Sequence, residues 1–314
     1  MKRLLFLGLF LTSFCKVFPQ CCGGCTPIGG NTNLGTLPKY MLQVNTFYKY
    51  AYSQGYMQHD CRSDFKFIDN AYSGFTGLQL GYGLTRHLTI DLEAGYYLNR
   101  TQNFNFFGEK YTLNGYGGSS ASLGFRYSLL KDTVHDIEMT VGAGIKVPWG
   151  MQPQVVDGVV LSEDVQPSNG AYGILLKTLI FKEFDDAGIR VFVSHVTNIS
   201  TVNDRNYKEG NNYITSLFAS KSFKSWTVIA QIRNEVRDYA YRDNILVASS
   251  GGYRFVFVPQ INYSFKQRYN LSVLYELPLY QYYYGIQLRD RYGFSVNLNI
   301  RLPLSKKAQV CEKP

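Results

Sequence analysis

Tyr292-Gly-Phe-Ser-Val-Asn-Leu-Asn-Ile-Arg-Leu-Pro-Leu304 is the stretch that decides the fold. From its third residue every second side chain is apolar: Phe294, Val296, Leu298, Ile300, Leu302 and Leu304. Ser295, Asn297, Asn299 and Arg301 lie between them. A strand points successive side chains to opposite faces. One face of this segment therefore wants an apolar medium and the other wants water.

The alternation recurs upstream. Leu88, Ile90, Leu92, Ala94, Tyr96 and Leu98 oppose Thr89, Asp91, Glu93, Gly95, Tyr97 and Asn99. Val228, Ala230 and Ile232 oppose Thr227, Gln231, Arg233, Glu235 and Arg237. Phe255, Phe257, Ile261, Tyr263 and Phe265 oppose Arg254, Gln260, Asn262, Ser264 and Lys266. A charge at the lipid midplane costs ~2–4 kcal/mol, so the charged faces are expected to point inward. On that facing, Leu298→Arg should block insertion and Asn297→Arg should be tolerated.

Candidate strands span 39–54, 74–86, 88–100, 119–131, 135–149, 171–184, 187–200, 211–223, 226–242, 252–266, 269–283 and 291–304. The predicted fold is all-β: a transmembrane antiparallel up-and-down β-barrel of about 12 strands. A soluble β-sandwich would also alternate. Three features argue against it: candidate strands far longer than the usual ~5–6 residues, charges in strand centres, and a short–long rhythm of connections. Short turns fall at 85–87, 131–135, 184–187, 223–225 and 266–269; longer, polar connections at 55–73, 101–118, 150–170, 201–210 and 243–251. Short turns belong on the periplasmic side of outer-membrane barrels, which predicts both termini in the periplasm.

The N-terminal 20 residues read as a signal peptide, with Lys2 and Arg3 before the short apolar run Leu4 to Phe14. The expected layout is signal 1–20, a Cys- and Gly-rich periplasmic or plug segment 21–38, the barrel 39–304 and a periplasmic tail 305–314. No later segment is a hydrophobic helix long enough to span a bilayer. The 26 Tyr and 21 Phe suit the aromatic girdles of a barrel. The net charge of +9 is scattered, with no basic run, which argues against nucleic acid as a partner.

The chemistry-bearing positions on the inward faces are Asp91, Glu93, Arg126, Glu138, Lys146, Arg190, Arg233, Glu235, Arg254, Glu276, Asn297, Asn299 and Arg301. They are expected to line a lumen, its carboxylates and guanidinia pairing with one another rather than forming a catalytic dyad. Ser194 and His195 are adjacent, so a strand turns them to opposite faces and no nucleophile–base pair results. No enzyme activity and no cofactor are expected. Cys21, Cys22 and Cys25 cluster ahead of the first strand, with Cys61 and Cys311 elsewhere. Three readings stay open: disulfides, with Cys311 as a candidate partner because both ends are expected in the periplasm; a soft-metal site; and partial loss with the signal.

Four further stretches carry a resemblance. They are Gly115-Tyr-Gly117 with Ser122-Leu-Gly-Phe-Arg-Tyr127; Gly142-Ala-Gly-Ile-Lys-Val-Pro148 with Gly150; Gln166-Pro-Ser-Asn-Gly170; and Leu277-Pro-Leu-Tyr-Gln281 with Gly285-Ile-Gln-Leu288. In this order the chain resembles the outer-membrane family named for the meta-pathway of phenol degradation. Gly118 stands where that family usually has Asp, and Trp149 where it often has Thr. The glycines and prolines in these stretches read as architecture: room for a bulky neighbour or plug, and bends or strand ends. The resemblance implies a barrel passing small hydrophobic or aromatic cargo by passive diffusion. Expected partners are the lipid bilayer and lipopolysaccharide, that cargo, and the barrel-assembly machinery. The rival expectation is a non-transporting barrel acting in surface assembly or metal handling through its cysteines. Residues 26–38 are expected to fold into the lumen as a plug.

Overall fold

Alternation over a dozen residues can satisfy backbone groups in lipid only if the sheet has no free edge. In a computed structural model the chain, described over residues 35–305 except 107, 108, 133, 150, 151, 157, 185, 186 and 267, closes such a sheet. Its strands are β1 (Met41–His59), β2 (Ile68–Gly83), β3 (Leu88–Phe106), β4 (Glu109–Asp132), β5 (Ile137–Pro148), β6 (Gly173–Phe184), β7 (Ile189–Ser200), β8 (Asn212–Phe223), β9 (Trp226–Arg237), β10 (Gly252–Phe265) and β11 (Tyr269–Pro303). Each pairs antiparallel with the next, and β11 returns to β1 through a ladder that begins at Met41↔Pro303.

β11 is 35 residues long. Straight, it would run ~115 Å, several times a membrane's thickness. It is instead bent double. Its first limb pairs with β10 from Phe265↔Tyr269 to Gly252↔Tyr283. Its second pairs with β1 from His59↔Tyr283 to Met41↔Pro303. The limbs lie side by side: Arg301 N–H donates to Arg268 O at 2.9 Å, and the rings of Tyr275 and Tyr292 stack 6.1 Å apart. The reversal contains Gly285 at φ +68°. The chain therefore crosses the barrel twelve times, as the sequence predicts.

The facing is as expected. Phe294 and Val296 are 37% and 39% exposed, whereas Ser295 and Asn297 are 2% and 1% exposed. Aromatic girdles mark both ends of the apolar belt. At the turn end Trp226 meets Tyr263, and Phe265 meets Tyr269, at 4.7 and 4.8 Å between centroids. At the loop end Tyr50 stacks on Phe294 and Tyr52 on Tyr292, both at 5.4 Å. The tight turns carry left-handed residues such as Asp136, Lys224 and Lys266, as short hairpins require.

The loop end corrects the expected boundaries. β1 continues to His59, and β3 and β4 continue through 101–106 and 109–118 as a long hairpin. The hairpin alternates in its own way: Phe104, Tyr111 and Leu113 share one face, with Phe104 buried and stacked on Tyr111 at 4.5 Å, and Asn103, Asn105, Lys110 and Thr112 share the other. Residues 201–211 and 238–251 build a small three-stranded sheet from Tyr207–Lys208, Tyr241–Arg242 and Ile245–Leu246.

Candidate functional site

The interior divides by side-chain size. On β6 to β9, Leu179, Phe192, Phe218 and Ile229 form a buried inner cluster with Phe181 against it. Phe192 and Phe218 stack at 4.2 Å and 12°. Val256, Val258 and Leu274 form a second cluster on β10 and β11. The opposite wall is built from small residues: Gly81 on β2, Ser120, Ser122 and Gly124 on β4, Gly142 and Gly144 on β5. There Ser122, Glu93, Arg126, Gly144 and Lys177 surround a cavity of about 60 Å³. The glycines act as the sequence implies, in two ways. A Cβ on Gly77 or Gly95 would lie 2.4 or 2.3 Å from the ring of Phe47 or Phe75, and one on Gly124 or Gly142 would lie 2.7 Å from a neighbouring backbone oxygen.

Most charged candidates are brought together in pairs. Glu276 holds Lys49 at 2.8 Å and Arg233 at 3.1 Å. Glu235 holds Arg233 and Arg254, each at 2.6 Å. Arg254 also bonds Asp290, which accepts from Ser53 at 2.8 Å and from Tyr283 at 3.2 Å. Arg126 grips Asp91 with two bonds of 2.6 and 2.7 Å. Arg190 pairs with Glu183 at 2.6 Å, and Glu138 with Lys131 at 3.6 Å. Glu93 and Lys146 line the open side, while Asn299 and Arg301 are half-buried toward the turn end. Lys49, Lys177, Glu183 and Asp290 were missed: the first three sit at inward steps of their strands' alternation, whereas Asp290 falls on the outward phase of Phe294 and Tyr292 and is turned inward by a bulge at Arg291. Asn297 faces inward as expected, but at 1% exposure it has no room to become Arg. Facing is a property of the strand, and room is a property of what lies across the lumen.

Residues 35–38, the described part of the segment expected to form a plug, lie against the inner wall at the turn end. Arg126 donates to Gly35 O at 2.5 Å, Thr36 N–H donates to Glu138 at 3.0 Å, and Leu37 N–H donates to Thr89 Oγ1 at 2.8 Å. Leu37 is 1% exposed, and a Cβ on Gly81 would lie 3.1 Å from its side chain. Residues 26–34 lie outside the described residues, as do the signal, Cys21, Cys22, Cys25, Cys311 and the tail from 306. Cys61 is free and exposed, in a three-residue strand beside the loop end of β1. Ser194 points inward and is buried. His195 points outward, its ring nitrogens bonded to Thr215 and Thr197 at 2.9 and 3.0 Å.

The loop end holds a cavity of about 620 Å³, with walls that include Tyr56, Tyr97, Arg100, Lys146, Tyr207 and Arg237. The segment 161–170 covers part of it. Arg100 donates to Gln166 O at 2.8 Å, and the Gln166 amide bonds Gln154 and Leu161. Here the stretches that carry the family resemblance meet. A Cβ on Gly115 would lie 1.9 Å from Val165 O, and one on Gly117 would touch Pro167. The two departures also meet: a Cβ on Gly118 would lie 2.8 Å from the Trp149 ring. These residues pin a lid to the wall, which is the architectural role expected of them. Burial raises Glu209, but Arg237, Lys146 and Arg100 beside it, with a bond from Asn169, hold its carboxyl below the ordinary value. Burial and the carboxylates of Asp164, Glu209 and Glu163 push the Tyr207 hydroxyl up to about 12.

A closed antiparallel wall, apolar outside and polar or occluded inside, defines a transmembrane β-barrel of outer-membrane type. An outer-membrane channel from Pseudomonas putida F1 superposes with a TM-score of 0.66 at 11% identity, covering 85% of this chain and 97% of that one. The NanC porin gives 0.49 at 8% identity over 83% and 100% of the two chains. The KdgM porin gives 0.44 at 7% identity over 82% and 98%. No family model matches the chain, and no curated protein matches it. At 11% identity the likeness to the Pseudomonas channel establishes the barrel fold.

Proposed function

We propose that the protein is an outer-membrane channel for passive uptake of small molecules with an aromatic or otherwise apolar body, with its short-turn end and both termini in the periplasm. The observation that carries this reading is the 620 Å³ cavity at the loop end. That volume suits a small-molecule site. It continues, past Ser120 and Lys146, toward the glycine-walled cavity at Ser122 and Gly144. Among the described residues, cavities remain beside the small side chains of β4 and β5, and that side is the route for a permeant. The segment at 35–38 narrows that route at the far end. The family resemblance to the phenol meta-pathway group points the same way, and Tyr56, Tyr97 and Tyr207 offer ring faces to an aromatic body.

The reading is tested in a planar bilayer. Purified full-length protein should insert with discrete conductance steps, larger when residues 35–38 are deleted. A silent bilayer for both forms would leave the surface or assembly role as the better account. Orientation is tested separately: a tag after Gly158 should be reached by antibody on intact cells, and one after Lys224 only after lysis.

A further inference from the structure

The turn-end rim of the barrel segregates its charges. Four of its six positions follow one another round the wall: the β8–β9 turn, the β10–β11 turn, the meeting of β11 with β1, and the β2–β3 turn. Lys224, Lys266, Arg268, Lys39 and Arg86 stand there, all exposed. No Asp or Glu occurs in 35–40, 82–90, 219–230, 260–275 or 291–305. None of the five cations has an ion pair among the described residues. The acids of the rim fall on the two remaining turns, Asp132 and Asp136 at β4–β5, with Asp185 and Asp186 between β6 and β7 in the sequence. Cations beside those turns are engaged. Lys131 pairs with Glu138 and Arg190 with Glu183, and Lys182 donates to His135 O.

The four cationic positions form one surface, because backbone bonds join each to the next. Ser264 N–H donates to Ser225 O at 2.8 Å, Arg301 N–H to Arg268 O at 2.9 Å, Leu304 N–H to Tyr40 O at 2.9 Å and Tyr40 N–H to Gly83 O at 2.7 Å. Neighbouring strands lie ~4.8 Å apart, well within the Debye length of ~8 Å in physiological salt, so the fields of adjacent turns overlap. The outward side chains set the depth of this arc. Phe223, Trp226, Tyr263, Phe265 and Leu304 are exposed on the outer face beside it, and Trp and Tyr rings of that kind sit at headgroup level. Cations that only solvate a rim need no such separation from its acids.

We propose that this arc is a docking surface for anionic phospholipid. It gathers headgroups whose phosphate diester carries no compensating ammonium, and the acidic turns opposite do not. Lys and Arg give charge-assisted hydrogen bonds to phosphate oxygens, and cations at a membrane surface attract acidic lipid. A zwitterionic headgroup brings its own cation to the same oxygens and gains less. The surface rests on the closed barrel and its outward face, and on neither the channel reading nor the orientation.

The chain supplies its own reporter. Its two tryptophans are Trp149 and Trp226, so in Trp149→Phe the ring of Trp226 reports alone, from within the arc. Full-length protein with that change goes into phosphatidylcholine vesicles doped with an equal minor fraction of brominated phosphatidylglycerol or brominated phosphatidylcholine. Bromine on the acyl chains quenches Trp226 according to how much labelled lipid lies beside it. The acidic lipid should be enriched about fivefold over the zwitterionic one, the factor that a single cation supplies at a membrane surface. Lys224→Asn, Lys266→Asn and Arg268→Gln together should remove the preference; Asn keeps the left-handed conformation that both lysines adopt. Arg62→Gln, Lys66→Gln and Lys110→Gln remove the same charge from exposed positions at the loop end and should leave the preference intact. Raised salt should erode it in the protein with all its cations present. Equal quenching by the two lipids, or a preference indifferent to salt or to the turn-end triple change, would overturn the inference. Equal loss in the loop-end triple would overturn it too, because net charge alone would then explain the effect. Heat-modifiable gel mobility confirms that each variant is folded.

Discussion

The two sides of the lumen are made by the same kind of strand and do opposite things. On β7 to β10 the inward steps carry Phe192, Phe218 and Ile229, which pack in one buried cluster, and Val256 and Val258, which pack in a second. On β4 and β5 the inward steps carry Ser120, Ser122, Gly124, Gly142 and Gly144, and cavities remain beside them. Hydrogen-bond ladders, strand direction and apolar exteriors are shared. The difference teaches that the bore of this barrel is set by inward side-chain volume and much less by strand count.

Breaking the packed side should have the largest effect. Phe218→Ala removes a fully buried ring stacked on Phe192 and should cost ~3–5 kcal/mol. Conductance in a bilayer should rise with it; a variant that loses stability but conducts like the parent would mean that this side does not limit the bore. Next comes the wall itself. Leu298→Arg should lose ~2–4 kcal/mol of insertion free energy and the heat-modifiable band. Ser120→Arg, on the open side, should keep that band. If Ser120→Arg fails as Leu298→Arg does, the open side is not open.

A smaller effect is expected at the foot of the open path. Arg126→Ala removes the bonds to Gly35 O and Asp91, worth ~1–3 kcal/mol where a charge is left without its partner. Residues 35–38 should then become sensitive to protease added from the turn end. Protection equal to the parent would show that Leu37 and Glu138 hold the segment without help. The smallest effect lies outside both walls. A side-chain bond from His135, then backbone bonds from Val134 and His135, lower the Asp132 carboxyl below its ordinary value. A depressed carboxylate adds stability above its unfolded pKa and loses it as pH falls through the folded one. Acid titration should therefore weaken this turn only below about pH 4, and Asp132→Asn should flatten that slight dependence in a thermal scan.

What could be read from the chain without its folding was everything carried by period two. Phe294 to Leu304 settles strand, facing and membrane together, because a single strand already separates its two environments. Arg233, Glu235, Arg254 and Glu276 were legible as inward for the same reason. Their pairing was not, nor were the parts of Lys49 and Asp290, because partners lie on different strands and are joined only by register and curvature. The loop-end hairpin at 101–118 escaped because its apolar steps, Phe104, Tyr111 and Leu113, are few and set among polar and glycine residues, so that only the pairing of its two halves reveals a wall. The burial of Asn297 and the openness beside Ser122 were decided by tertiary structure alone: each depends on the volume of side chains across the lumen, which no strand encodes by itself.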